Sequence, residues 1–233
     1  MFTRTYEPRY GDNKGNGTLK ISSLLDMVQD AAIRHSDECG YGFGVLDKLN
    51  FAWLVHGIKA HFEKGISPVD AITVTTGVKN MRGLTSERCC ELSQNGRAVG
   101  KTIANWFLFD TAEEKPCKIP EEILSAYPIW ELRDDFFSYK KPKLYEDAEL
   151  FDSVRVSNKE IDTNLHLNNC KSAELLMDAL PFEFSFTDMS ILYKKAAYLG
   201  DELRLCRKKI ENGYYAHLAT GDGEICVAAT FEE

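Results

Sequence analysis

The sequence lacks the features that mark membrane, secreted and metal-binding proteins. No apolar run approaches the roughly 20 residues that a membrane-spanning helix needs. The first residues contain no apolar segment of the kind found in signal peptides, so we expect a cytoplasmic protein. The seven cysteines are an odd number at irregular spacing without a C-x-x-C pair, which signals neither a zinc site nor a disulfide framework.

The chain is also short of positive charge. Lys and Arg total 28 and Asp and Glu total 36, which gives a formal net charge of −8 at pH 7. This balance argues against nonspecific binding to nucleic acid, whose phosphates attract basic proteins. The remaining composition, with 44% hydrophobic and 27% charged residues over 233 positions, is typical of a globular protein of one large or two small domains.

The two halves of the chain share one pattern. Residues 9–30 and 157–178 each contain a polar loop followed by apolar residues at helical spacing. Within these segments Asn16-Gly17-Thr18-Leu19 aligns with Asn164-Leu165-His166-Leu167. The identity is low, but the order of loop and helix is the same, which favours two similar structural units in one chain.

We predict one helix in each half, followed by strands. The first helix is expected at 22–38, with Ser23-x-x-Asp26 as a capping box, and the second at 170–180, capped by Asn168 or Asn169. Alternating apolar and β-branched residues, with turns at Asn-Gly and Asp-Gly pairs, predict strands after each helix. The predicted strands are 51–62, 72–78, 87–92 and 98–109 in the first half, and 182–193, 202–210, 214–220 and 224–231 in the second.

This order predicts an α+β protein built as a tandem (double) hotdog. Four strands cover one helix only if the sheet wraps around it, and two such units normally pair so that their sheets join into one. We therefore expect an N-terminal hotdog at 1–111 and a C-terminal hotdog at 149–233. Residues 112–148 are polar and contain four of the seven prolines, which predicts a surface linker.

Motifs in both halves carry a resemblance to a known family. The first half contains Tyr10-Gly11-Asp12, Gly17-Thr18-Leu19, Gln29-Asp30-Ala31-Ala32, His35, Ala52-Trp53-Leu54 and the segment 104–110. The second half contains Asp162-Thr163-Asn164-Leu165-His166-Leu167-Asn168-Asn169, which is similar to a D-x-N-x-H-(V/L)-N-N loop. Together these segments resemble the acyl-acyl-carrier-protein (acyl-ACP) thioesterases of the bacterial and plant double-hotdog type.

The resemblance implies an enzyme of fatty-acid biosynthesis that acts on acyl-ACP. Such an enzyme hydrolyses the thioester between a fatty acyl chain and the phosphopantetheine arm of acyl carrier protein, and it releases free fatty acid without a metal or cofactor. An acyl-CoA thioesterase is an alternative, because coenzyme A presents the same pantetheine arm. The N-terminal unit would then be scaffold and acyl-chain tunnel, while the C-terminal unit keeps the catalytic loop.

Three residues of the second loop suit thioester hydrolysis. Asp162, Asn164 and His166 are spaced so that their side chains share one side if the loop is extended. We expect His166 to orient or deprotonate water, Asn164 to position the water or the carbonyl, and Asp162 to fix the imidazole or polarise the water. Whether Asp162 or His166 is the general base stays open. The alternative interpretation is that these residues only build a turn and cap a helix.

The equivalent places in the first half are occupied differently. They hold Lys14, Asn16 and Thr18, without the acid and the imidazole. We therefore expect one active site per chain. A homodimer is one option for the assembly, which the sequence leaves open.

Two further pairs of residues are candidates for substrate binding. Asn168 and Asn169 open the second predicted helix, where backbone N–H groups and the positive end of the helix dipole suit a thioester carbonyl that gains negative charge. Lys194 and Lys195 lie beside the expected active-site segment and suit the docking of an acidic carrier protein.

One position departs from the pattern of the family. The family usually has an acidic residue a few positions before a Gly-Asp pair, which is Gly200-Asp201 here, and Ala196 occupies that place. Three outcomes are open: the loop residues suffice with lower turnover, another acid such as Glu174 substitutes, or the protein binds acyl thioesters without efficient hydrolysis. We favour a working enzyme, whether or not its turnover is reduced.

Overall fold

The computed structural model describes residues 1–131 and 136–233. It divides into two compact units, Met1–Tyr139 and Lys140–Glu233. In both units a helix packs on an antiparallel sheet, as the α+β prediction requires. No helix in the described ranges is long and apolar enough to cross a lipid bilayer.

The first unit is an antiparallel sheet with a long helix against it. Its strands are β1 (Phe2–Tyr6), β2 (Phe51–Phe62), β3 (Ile72–Arg82), β4 (Thr85–Gln94), β5 (Arg97–Asp110) and β6 (Lys115–Pro116), and its helices are α1 (Ile21–Glu38), α2 (Phe43–Lys48) and α3 (Glu121–Ala126). The strand order is β1-β3-β4-β5-β2, with β6 paired to β5. Asn95 and Gly96 both have positive φ, as the tight hairpin between β4 and β5 requires.

Helix α1 buries the face that its sequence period predicts. It packs on β1 and β3. The buried residues of this face include Leu24, Leu25, Val28, Ala31, Ala32 and His35. The predicted capping box is wrong, because the helix begins after Lys20 without a side-chain cap. The hydroxyl of Ser23 donates instead to the carboxylate of Asp12, at 3.3 Å.

The segment after β5 is part of the first unit rather than a surface linker. Ile119, Ile123 and Tyr127 are each at most 3% exposed and join the apolar cluster around α2. The backbone N–H of Trp130 donates to the carbonyl of Val78 at 2.7 Å. The apolar positions of this segment are too few to show a period, so only packing against β3 and β5 makes their burial visible.

The second unit repeats the plan with a shorter helix. Its elements are β7 (Glu149–Arg155), α4 (Asn169–Asp178), β8 (Asp188–Tyr193), β9 (Glu202–Ile210), β10 (Gly213–Ala219) and β11 (Ile225–Glu232). The strand order is β8-β11-β10-β9-β7, and every pair is antiparallel. Helix α4 packs on β10 and β11 and buries Ala173 and Leu176 completely.

The predicted strand 182–193 is wrong in its first half. The strand begins at Asp188, and Phe182 is 72% exposed. The alternating aromatic residues belong to a loop that packs on the sheet: the Phe184 ring lies 4.8 Å from Tyr214 and the Phe186 ring 5.0 Å from Phe231, between centroids. Alternation alone does not separate a strand from a loop whose side chains cover a sheet.

Candidate active site

The loop that precedes α4 is a closed turn and not an extended segment. The backbone N–H of Asp162 donates to the carbonyl of His166 at 2.9 Å, and that of Leu165 donates to the carbonyl of Asp162 at 3.0 Å. Leu165 has a φ of 62°, in the left-handed region that side-chain-bearing residues seldom adopt. The spacing argument for a shared side therefore does not apply, because its premise of an extended loop is wrong.

The turn brings the backbones of the three candidate residues together. The Oδ1 atom of Asp162 accepts the backbone N–H of Asn164 at 2.8 Å. Asp162 and His166 are half-buried and Asn164 is exposed. Among the described residues, no hydrogen bond joins the Asp162 carboxylate to the His166 imidazole. The catalytic roles of the three residues stay predictions.

The side chain that contacts the His166 imidazole is Tyr198. The two rings are perpendicular, with centroids 5.0 Å apart. The backbones form an antiparallel bridge at the same point, and the N–H of Leu167 donates to the carbonyl of Ala197 at 2.8 Å. Sequence reasoning missed Tyr198. The available signal was its position, two residues after Ala196, which occupies the place where the family usually has an acidic residue.

The Gly-Asp pair holds this second segment in place. A carboxylate oxygen of Asp201 accepts the backbone N–H of Tyr198 at 2.8 Å, while its carbonyl accepts the N–H of Val156 at 2.9 Å. Ala196 directly precedes Ala197, whose carbonyl accepts the N–H of Leu167 in the loop. A carboxylate at position 196 would therefore stand beside the loop, and this chain has none there.

The first turn of α4 is capped by its own sequence. The Oδ1 atom of Asn168 accepts the backbone N–H groups of Cys170 at 2.8 Å and Lys171 at 3.2 Å, which confirms Asn168 as the cap. The N–H of Asn168 itself donates to the carbonyl of Glu160 at 2.8 Å. Within the described ranges, the N–H of Asn169 donates to no protein acceptor. It is therefore the backbone donor that the cap leaves available.

The charged side chains around the loop differ in their pairing. Lys194 is exposed. The Lys195 ammonium is bonded to the Glu224 carboxylate, and this hydrogen bond raises the pKa of Lys195. Glu174 lies 2.8 Å from the ammonium of Lys171, one turn away on α4. Glu174 is thus already paired with a cation.

The donor groups for metal binding do not cluster in the described part of the chain. No group of three or more His, Cys, Asp or Glu side chains there is placed to hold a metal ion. All seven cysteines are free thiols, and Cys170 and Cys226 of the second unit are buried.

Two family models match the chain. The model of the acyl-ACP thioesterase N-terminal domain matches residues 1–127, and that of the acyl-ACP thioesterase C-terminal domain matches residues 143–232. The chain belongs to the acyl-ACP thioesterase family. It is therefore a thioester hydrolase of fatty-acid biosynthesis that releases free fatty acid from acyl-ACP, and the resemblance that the motifs suggested is confirmed.

Solved structures of acyl-ACP thioesterases share the fold over the whole chain. An acyl-ACP thioesterase from Bacteroides thetaiotaomicron matches with a TM-score of 0.88 and 19% identity, over 99% of this chain and 96% of that one. The 12:0-ACP thioesterase from Umbellularia californica matches with 0.86 and 18%, over 99% and 96%. A putative oleoyl thioesterase from Lactobacillus plantarum matches with 0.87 and 15%, over 99% and 94%.

These likenesses confirm the double-hotdog fold of the acyl-ACP thioesterase. At such identities they carry no information on individual site residues. None of the curated proteins compared with the chain is a significant match by sequence.

Proposed function

We propose that the acyl-ACP thioester is hydrolysed at the loop 161–168 of the second unit. His166 activates the water, Asn164 positions the water or the carbonyl, and Asp162 holds the Asn164 backbone through its 2.8 Å hydrogen bond. The second oxygen of Asp162 is available to polarise the water. Because the Tyr198 ring contacts the imidazole, it orients His166 in this proposal.

One observation carries this proposal: the loop does not need these side chains to form its turn. The first unit makes the same backbone turn with Lys14 and Thr18, in which the N–H of Lys14 donates to the carbonyl of Thr18 at 2.7 Å. A turn-building role therefore does not explain Asp162 and His166. Their acid and imidazole are in excess of what the fold requires, which favours a chemical role.

The start of α4 supplies the stabilisation of the oxyanion in this proposal. The thioester carbonyl gains negative charge as water attacks, and donors placed at that oxygen lower the barrier. The backbone N–H of Asn169 lies at the positive end of the helix dipole and is left available by the Asn168 cap. Asn168 acts by capping this helix start, and the backbone N–H of Asn169 is the group that donates to the oxyanion.

Carrier-protein docking is assigned mainly to Lys194. Lys194 is exposed and its backbone N–H is fixed to the carbonyl of Cys226 at 2.8 Å, beside the loop segment 196–198. An acidic carrier protein is attracted by such a charge despite the negative total. Lys195 contributes less, because Glu224 already neutralises it.

The first unit is assigned the acyl chain. Helix α1 and its sheet enclose an apolar interior, while the aligned loop lacks the acid and the imidazole. One active site per chain follows. Free thiols at all seven cysteines support a reducing compartment, the cytoplasm.

A binding protein without efficient turnover is the second candidate, favoured by Ala196. Ala196 directly precedes Ala197, whose carbonyl bonds to Leu167 of the loop, and it provides no carboxylate there, while Glu174 is paired with Lys171. On this view the chain holds an acyl thioester but lacks the group that completes water activation.

One assay set tests the proposal. Thiol release from acyl-ACP and acyl-CoA of several chain lengths is measured for the wild type, His166→Ala and Ala196→Glu, with Thr18→Ala as the matched control in the first loop. We expect His166→Ala to lower kcat/KM by about 100-fold or more, since general acid–base catalysis contributes about that much. Thr18→Ala should leave the rate near the wild-type value.

The outcomes separate the candidates. An unchanged rate in His166→Ala would show that the site assignment is wrong. A wild type that releases no thiol, together with turnover gained by Ala196→Glu, would establish the binding protein. Faster turnover of acyl-CoA than of acyl-ACP would remove the docking role of Lys194.

A further inference from the structure

Among the described residues of the first unit, one buried cation has no counter-ion. Arg88, on β4, is 7% exposed, and its Nη1 atom donates to Nδ1 of His35 at 2.7 Å. A second, long contact of 3.5 Å reaches the hydroxyl of Thr76. No carboxylate of the described residues forms an ion pair with Arg88. Buried charges are normally paired, so this arrangement requires an explanation.

A buried phenol lies next to this cation. Tyr127 is 3% exposed, and its ring centroid lies 6.0 Å from Cζ of Arg88 and 6.0 Å from the ring of His35. Its buried hydroxyl makes no close hydrogen bond in the part of the chain that the structure describes, and has only weaker contacts with the Ser36 and Trp53 side chains. Two donors, a guanidinium and a phenol, therefore lie side by side in this interior, and no described residue offers them a negatively charged acceptor.

The neighbouring groups do not supply the missing negative charge. Burial, with the charge of Arg88 added, lowers the pKa of His35 to about 4, so the imidazole is neutral at pH 7 and only accepts at Nδ1. Burial raises the pKa of the Cys90 thiol, which stays protonated. Within the described part of the chain, Arg88, His35, Cys90 and Tyr127 together carry one positive charge.

We propose that Arg88 and Tyr127 form a buried receptor for a carboxylate at the far end of a bound acyl chain. The substrates would then include acyl chains that end in a carboxylate, beside those that end in a methyl group. A water molecule satisfies the phenol but leaves the charge unbalanced. A carboxylate balances the charge and accepts from the planar guanidinium through two oxygens.

The position of the acyl chain in this inference depends on the proposed function. Helix α1, which provides His35, and β4, which provides Arg88, belong to the unit assigned to the chain. The thioester end reacts elsewhere, so the receptor affects which chain binds and not the chemistry at the carbonyl. Its signature is a change in selectivity between two substrates of equal length.

The kinetic test compares ω-carboxyacyl-ACP with unsubstituted acyl-ACP at octanoyl, dodecanoyl and hexadecanoyl length. We expect Arg88→Met to lower the ratio of the two kcat/KM values by about tenfold or more at the preferred length, since a charge-assisted hydrogen bond is lost. Tyr127→Phe should lower the ratio by a smaller factor. Arg34→Met is the control, because Arg34 is a half-exposed α1 residue paired with Asp30 at 2.8 Å.

A binding test uses the full chain without turnover. Thermal unfolding is measured with dodecanoate, methyl dodecanoate and acetate. We expect dodecanoate to raise Tm more than its methyl ester, and Arg88→Met to remove the difference. An equal shift with acetate would show a small-anion site only and overturn the proposal.

Each remaining outcome decides the question. A selectivity ratio that is the same in the wild type and both variants at every length overturns the proposal. If Arg88→Met does not fold, Tyr127→Phe decides alone, because it removes one oxygen and keeps the packing. If the wild type hydrolyses no thioester, the proposed function fails, and the dodecanoate measurement still tests the receptor.

Discussion

The loops that lead into α1 and α4 have the same backbone and different side chains. In the first loop the backbone N–H of Lys14 donates to the carbonyl of Thr18 across the turn at 2.7 Å. In the second loop the backbone N–H of Asp162 donates to the carbonyl of His166 at 2.9 Å. Both helices begin directly after the loops, and isolated bridges close both turns at corresponding positions. The residue at the tip is Gly17 in one loop, and the other loop makes the same left-handed turn without glycine.

The loops differ in what their side chains do. In the first, the Asn16 amide oxygen accepts both the backbone N–H and the hydroxyl of Thr18, at 3.1 and 2.7 Å, so the side chains satisfy one another. In the second, the Asp162 carboxylate accepts the backbone N–H of Asn164, and the His166 imidazole contacts the ring of Tyr198 in the neighbouring segment. The backbone is thus a property of the fold, and the proposed chemistry depends on three replaceable side chains.

Transplanting the first loop into the second is the strongest test of this comparison. The double variant Asp162→Lys, His166→Thr gives the second loop the residues of the first. We expect kcat/KM to fall by about 1000-fold, because both groups that we propose to act on the water are removed. Stability should stay within about 1 kcal/mol of the wild type, since the same turn forms with these residues in the first loop.

Hydrolysis rates and urea denaturation measure the two effects. An unfolded double variant would show that Asp162 and His166 build the turn after all. Retained activity would place the active site elsewhere.

Removing the helix cap extends the comparison from the loops to the starts of the two helices. Asn168→Ala deletes the acceptor of two backbone N–H groups and should lower the free energy of unfolding by about 1 kcal/mol. Lys20→Ala, at the equivalent position before α1, should change it by less than about 0.5 kcal/mol, because Lys20 provides no side-chain cap. Equal losses in urea denaturation would contradict this difference between the two helix starts.

The tip of each loop gives the smallest expected effect. Leu165→Gly removes a side chain that is 73% exposed and relieves a left-handed backbone, so we expect a gain in stability of up to about 1 kcal/mol. Gly17→Ala is the reciprocal change. Its Cβ would meet no atom within 4 Å, so the φ of 79° alone should cost about 1 kcal/mol.

Thermal unfolding measures both tip variants. A loss of stability in Leu165→Gly would mean that Leu165 makes a contact that its exposure does not reveal. Reduced thioesterase activity in the same variant would give Leu165 a role in substrate binding.

Much of the fold was visible in the sequence because local patterns encode it. The six-residue apolar face of α1 is buried as its spacing predicts, and the Asn95-Gly96 turn joins two strands as expected. The alignment of Asn16 with Asn164 holds for the loops as a whole. Each of these features depends on neighbours within a few residues, where sequence spacing and spatial position are directly related.

The errors arose where local pattern and packing diverge. Ile123 and Tyr127 lie in a polar stretch that reads as a linker, yet both are buried in the first unit. Phe184 and Phe186 alternate as in a strand but cover a sheet from a loop. In both cases burial is decided by residues far away in the chain, and composition does not record them.

The sequence by itself determined the family, the two-unit plan and the identity of the loop residues Asp162, Asn164 and His166, because motif and helix period are local. Only the tertiary structure decided that Tyr198 contacts His166 and that Arg88 lies buried beside Tyr127. The residues of these two contacts are 32 and 39 positions apart in the chain. Chain folding brings them together through backbone register and side-chain packing, and both depend on residues that are far apart in the sequence.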